Sequence, residues 1–159
     1  MSAPARSADG DGGARAHHLA IRVYYEDTDL AGVVYHANYL RFLERGRSEA
    51  IRALGIDQRA LREAGIVFVV RAIRAEFLRP ARYDDLLGVA TALSEITAAR
   101  LVMDQRIARG AELLLTARVT LACMTPQGRP RRIPAPVRAA LAAALAPPPA
   151  GDGTSGTAI

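Results

Sequence analysis

The chain has 159 residues and a formal net charge of +5, room for one domain and not comfortably for two. Half of the residues are hydrophobic, which excludes a disordered protein, and the single Cys123 excludes an internal disulfide and a cysteine-built zinc site, so a reducing cytoplasm is the expected location. All 21 basic residues are arginine; they permit phosphate-bearing partners without selecting among them, and only Arg129, Arg131 and Arg132 cluster.

Residues 1 to 18 lack apolar periodicity and residues 147 to 159 are rich in Pro and Gly, so both are expected to be disordered tails around one domain at 19 to 146. No run approaches the ~20 apolar residues of a membrane span, so none is expected. Leu19, Ile21, Val23 and Tyr25 alternate with less apolar neighbours, the period of a half-buried strand. An acidic loop, residues 26 to 29, and Gly32 follow.

From residue 37 to 54, Tyr39, Leu43, Gly46, Ala50 and Leu54 fall on one stripe at helical spacing, flanked by Phe42 and Ala53. Arg41, Glu44, Arg45, Ser48, Glu49 and Arg52 form the opposite face, with Arg45 and Glu49 spaced as an i,i+4 pair. Residues 57 to 64 read as a short helix capped by Asp57. Four extended segments come next, at 66–77, 85–96, 99–107 and 113–123, joined by links too short for parallel crossovers. Pro134 and Pro136 open a final alanine-rich helix to about Leu145. The order predicts an α+β fold with an antiparallel five-stranded sheet wrapped around the long helix.

Four of the five tyrosines, three carboxylates and one of the three histidines lie between Tyr24 and Tyr39. A carboxylate facing the start of a buried helix meets an electrophile whose oxyanion free backbone N–H groups and the positive helix end can hold. Acyl transfer needs that geometry.

The residues run Tyr24-Tyr25-Glu26-Asp27-Thr28-Asp29, then Gly32-Val33-Val34-Tyr35-His36, Asn38-Tyr39-Leu40 and Phe42-Leu43-Glu44-Arg45. This string closely resembles the active-site signature of the 4-hydroxybenzoyl-CoA thioesterase-like branch of hotdog-fold enzymes, and within it the Tol-Pal-associated acyl-CoA thioesterase group. The resemblance continues through Phe68-Val69-Val70-Arg71 and Arg79-Pro80-Ala81-Arg82-Tyr83-Asp84-Asp85, covering about residues 20 to 138. It implies a hotdog fold, a homodimer or tetramer with sites at the subunit junction, and hydrolysis of an acyl-CoA, or of an acyl carrier protein thioester, to the free acid. It places the catalytic carboxylate at Asp29 and the carbonyl-polarising N–H at His36, with Tyr35 and Gly32 shaping the turn. Coenzyme A is part of the substrate, so no cofactor is expected.

A thiolate leaves readily because its free-thiol pKa is near 8.5, so one carboxylate and an oxyanion site suffice. Asp29 attacks the carbonyl or deprotonates a water, and both routes stay open. The plain alternative for Asp29 is a turn residue; His36 can act through its ring on the carbonyl or substrate, while the plainer reading, in which its backbone matters, is preferred with a lesser contribution from the imidazole. Glu26 and Asp27 read as solvated or structural carboxylates and Cys123 as a buried hydrophobe. Glu44 is a second candidate base, because some hotdog thioesterases place their carboxylate on the helix, but its position on the polar face favours a salt-bridged surface or subunit contact. Arg129, Arg131 and Arg132 are candidates for the phosphates of coenzyme A, against a solvated loop. His17 and His18 fall in the expected tail and make no metal site with His36. The competing functions are a hotdog hydratase or dehydratase, a non-catalytic acyl-CoA or acyl-carrier-protein binding or envelope-associated adaptor, and a nucleic-acid binder. Phosphate repulsion by the acidic loop disfavours the last, so no nucleic-acid partner is expected.

Overall fold

The structure, a computed structural model, describes residues 15 to 145. The rest of the two expected tails lies outside the described residues, but residues 15 to 18 of the first are described, and strand β1 (His17–Arg22) begins two residues before the alternation at Leu19. His17 and His18 are therefore strand residues, paired with Thr91 and Ala90. A single 3₁₀ turn (Tyr25–Asp27) leads toward helix α1 (His36–Ala53), followed by α2 (Gln58–Glu63). Strands β2 (Val67–Phe77), β3 (Leu86–Ile96), β4 (Arg100–Arg109) and β5 (Glu112–Met124) precede α3 (Ala135–Ala143). Asp57 caps α2 as expected, its carboxylate accepting from the N–H groups of Arg59 at 2.9 Å and Ala60 at 3.2 Å.

The five strands form one antiparallel sheet in the order β1-β3-β4-β5-β2. Helix α1 lies on the face that carries Leu87, Val89, Leu101, Met103, Ile107, Leu115 and Val119, all buried with Phe42, Leu43 and Ile51 of the helix in one core. Burying each of the last three side chains contributes about 1.5 to 3 kcal/mol, enough to hold the helix in the sheet. The expected stripe is partly redrawn. Tyr39, Leu43 and Gly46 are buried, Ala50 and Leu54 only half so, while Phe42 is fully buried and its counterpart Ala53 is exposed.

Two polar features were not foreseen. Arg47 is buried in the middle of α1, where its guanidinium donates to Gln105 and pairs with Glu44. Glu49 pairs with Arg52 instead of the expected Arg45, which lies over the Phe42 ring at 5.9 Å.

Strand β2 forms where an extended segment is expected, and its apolar side chains Val69, Val70, Ile73 and Phe77 are exposed. It is an edge strand whose one ladder among the described residues is with β5, with a bulge at Arg71. Phe68 and Ala75 pack on the core and Phe77 meets the Tyr39 ring, while its outer backbone edge has no strand partner among the described residues.

Candidate active site

The chain leaves β1 through Val23, which is fully buried and exchanges backbone hydrogen bonds with Asp85 and Asp84 just before β3. The acidic loop then folds into a small hairpin. Thr28 and Val34 form an antiparallel bridge, the Asp29 N–H donates to Val33 O at 2.9 Å, and the Gly32 N–H donates to Asp29 O at 3.0 Å. Gly32 sits at the tip with φ +79°, a left-handed conformation in which a side chain is strained. The hairpin is fastened to the segment between β2 and β3: Val33 bridges Arg82, and the Val34 N–H donates to Ala81 O at 2.8 Å. That segment is tied to α1 in turn, since the Ala81 N–H donates to the buried Tyr39 hydroxyl at 2.9 Å.

Asp29 is exposed, and its Oδ1 accepts from the Ala31 N–H at 2.9 Å. Oδ2 has no partner among the described residues and is available to a reacting carbon or a water. Across the hairpin stands the start of α1. Tyr35 occupies the position before the first helical turn with no side-chain cap, and no acidic residue lies in that turn. Among the described residues no acceptor takes the His36 or Ala37 N–H, whereas the N–H groups of Tyr35 and Asn38 on either side are used. An uncapped N-terminus of an 18-residue helix with a free leading amide is suited to a developing negative charge. The His36 ring is exposed and tilts against Tyr35, with centroids 4.6 Å apart. Leu30 is fully exposed beside Asp29, an apolar side chain with nothing over it among the described residues.

Asp27, unlike Glu26, is buried. Its Oδ2 accepts from the Tyr24 N–H and its Oδ1 from Asn38 Nδ2, both at 2.8 Å, and its carbonyl accepts from the Tyr35 N–H at 2.9 Å. The sequence left it among the loop carboxylates. The available signal was an Asn at the third helical position, where an amide side chain can reach back to the preceding loop.

Asp85 anchors the segment that holds the hairpin. Burial works to raise its pKa, but hydrogen bonds from the Arg82 N–H at 2.8 Å and Arg109 at 2.6 Å, with both positive charges, hold it below the ordinary carboxylate value. The Arg109 guanidinium is raised by the same contact, assisted by Glu112.

Asp29, Gly32, Tyr35 and His36 thus come together in one hairpin and helix start. Arg129, Arg131 and Arg132 do not join them. They lie in the loop after β5, where Met124 pairs with Val67 at the beginning of β2, while the Asp29 hairpin packs near the start of β5 and the end of β2. The 13 residues of β5 separate the two regions by roughly 40 Å at ~3.3 Å per residue. Arg131 also has a structural task, donating to Ala64 O and Gly65 O beyond the end of α2. Cys123 is buried as expected, and burial pushes its thiol pKa up.

Comparison with known proteins agrees with this architecture. The family model of the thioesterase-like superfamily matches residues 23 to 145. Acyl-CoA thioester hydrolase YbgC of Escherichia coli O6:H1 is 43% identical over 116 residues, covering 72% of this chain and 87% of that protein. Acyl-CoA thioesterase YbgC of Haemophilus influenzae is 43% identical over 121 residues, 72% of this chain and 89% of its own length. Among solved structures, a probable thioesterase from Bartonella henselae has a TM-score of 0.69 at 44% identity, covering 76% of this chain and 99% of that one. A 4-hydroxybenzoyl CoA thioesterase has a TM-score of 0.74 at 24% identity over 80% of this chain and 99% of its own, a likeness of fold. The sheet-wrapped helix is the hotdog arrangement, and the chain belongs to the thioesterase-like superfamily.

Proposed function

We propose that the protein hydrolyses the thioester of an acyl-CoA to a free carboxylic acid and coenzyme A. The observation that carries this reading is that the hairpin bearing the exposed Asp29 carboxylate runs directly into an uncapped helix start whose His36 N–H is unpartnered among the described residues. Asp29 either bonds to the carbonyl carbon, expelling coenzyme A thiolate and leaving a mixed anhydride for water to cleave, or takes a proton from the water that attacks. In both routes the carbonyl oxygen gains negative charge, and the His36 amide at the positive helix end stabilises it. Tyr35 and Gly32 set the turn. The named activity of the relatives supports the acyl-CoA substrate.

The site is completed by a second copy. β2 offers an unpaired backbone edge and exposed Val69, Val70 and Ile73, and antiparallel pairing of two such edges hides them. That pairing sets the start of one β2 beside the end of the other, bringing the arginine loop of one copy toward the Asp29 end of its neighbour. Arg129, Arg131 and Arg132 then serve the coenzyme A phosphates across the subunit boundary. A carrier-protein thioester is a second possible donor. None of the helices among the described residues is long and apolar enough to cross a membrane. The lone reduced Cys123 suits the cytoplasm.

The test is release of free thiol from a panel of acyl-CoA substrates of graded length. Asp29→Asn is expected to fold normally and to lose at least about 100-fold in turnover. A near wild-type rate removes Asp29 from the mechanism, and acyl-CoA bound intact for hours by the wild-type chain supports a binding adaptor instead.

A further inference from the structure

A buried carboxylate is costly unless its oxygens are satisfied, so its partners reveal its task. Asp27 is held by amides: the Tyr24 N–H on one oxygen and Asn38 Nδ2 on the other, with Asn38 itself buried. The Asp27 carbonyl takes the Tyr35 N–H at 2.9 Å. One residue therefore grips the chain immediately before the free His36 amide with its backbone and two residues after it with its side chain. The same residue stands two positions before Asp29. We infer that the Asp27–Asn38 pair is the positioning device of this site, setting the separation between the Asp29 carboxylate and the His36 N–H.

The inference rests on the thioesterase reading above. Between Asp29 and His36 the hairpin is held by the Thr28–Val34 bridge and the Asp29 N–H to Val33 O bond, but these ties end at Val34, and it is Asp27 that carries the frame on to Tyr35 and to Asn38 in the first helical turn. A neutral amide at position 38 suits the task better than an arginine: it satisfies Asp27 without placing a full positive charge that would draw Asp29 away from substrate. Neither Asp27 nor Asn38 need touch the substrate, so both act through Asp29 and His36.

The experiment uses the full chain with Asn38→Ala, Asp27→Asn and the exchanged pair Asp27→Asn/Asn38→Asp. The exchanged pair keeps an acceptor for the Tyr24 N–H and reverses the direction of the side-chain hydrogen bond, moving the negative charge from position 27 into the first helical turn at position 38. Misplacement of a reacting group by about 1 Å costs on the order of 100-fold, so each single variant should lose about that much in kcat with KM within about threefold. The exchanged pair should recover at least about tenfold over the worse single variant, and the pH profile should keep its shape because Asp29 is untouched. Exchange of the Tyr35 amide, followed by NMR, should accelerate in Asn38→Ala as its hydrogen bond to Asp27 loosens.

Kcat within about twofold of wild type in Asn38→Ala, a loss confined to KM, or no recovery in the exchanged pair overturns the inference. If the wild-type chain releases no thiol, the thioesterase reading fails, and the Tyr35 amide still decides the clamp: unchanged exchange in Asn38→Ala overturns that too. Thermal unfolding of each variant separates these losses from a failure to fold.

Discussion

Arg47 donates through Nη1 to Gln105 Oε1 at 3.0 Å, joining the middle of α1 to β4 across the core. Gln105 is itself buried, and its Nε2 donates to Leu43 O and to Thr91 Oγ1, both at 2.9 Å. Glu44, more than half exposed, pairs with the same guanidinium and connects this buried charge to the surface. Every polar atom of the Gln105 side chain is thereby used, and the helix register against the sheet is fixed by direction as well as by apolar area.

Removing Gln105 leaves a buried guanidinium, a hydroxyl and a carbonyl each short of a partner. Gln105→Leu, which keeps the volume, should destabilise the fold by about 2 to 4 kcal/mol, read from the urea midpoint at constant m-value. A change below about 0.5 kcal/mol would show that the network contributes nothing net.

Gly46 tests the closeness of helix and sheet. A Cβ there would stand 2.7 Å from Val89 Cγ1, 3.0 Å from Thr91 Oγ1 and 3.2 Å from Gln105 Nε2. In an exposed helix Gly→Ala gains about 1 kcal/mol, but overpacking against a stiff β-branched side chain costs about 1 to 3. Gly46→Ala should therefore lower the unfolding temperature, and Val89→Ala in the same chain should give back part of the loss. A stabilised single variant would mean that the helix can lift away from β3.

The lowered pKa of Asp85 fixes the sign of an acid effect. Its folded value lies below that of the unfolded chain, near 3.9, so its contribution is complete above that pH and disappears as pH falls through the folded value. Unfolding temperatures measured from about pH 2 to pH 5 should rise more steeply in wild type than in Asp85→Asn. Parallel curves would assign the acid dependence to other carboxylates.

The free edge of β2 is the remaining prediction. Ile73→Lys adds a charge to the exposed face of an edge strand, a substitution that costs a lone protomer little and a paired edge much. Light scattering should find a dimer or larger assembly in wild type and a monomer with greatly reduced thiol release in the variant. An unchanged mass would place the subunit contact elsewhere.

The candidate site of the proposed function is legible in the sequence because its residues are local. Asp29, Gly32, Tyr35 and His36 lie within eight consecutive positions, and one hairpin joined to one helix start brings them together. The arginines were a different case. Clustering in sequence marked them, but the antiparallel order of β2 and β5 sends their loop to the far end of the sheet from Asp29. Buried polar residues were also hidden, because Asp27 and Arg47 resemble ordinary loop and helix-surface charges until their partners 11 and 58 positions away are known.

The sequence by itself determined the secondary elements, the antiparallel hairpins and the loop that bears Asp29, since periodicity and turn chemistry act over a few residues. Tertiary structure alone decided which strand stays uncovered, which charges enter the core and where the arginines stand. Those outcomes depend on contacts between segments far apart in the chain, where a polar side chain is admitted to the interior only if another segment supplies its hydrogen bond.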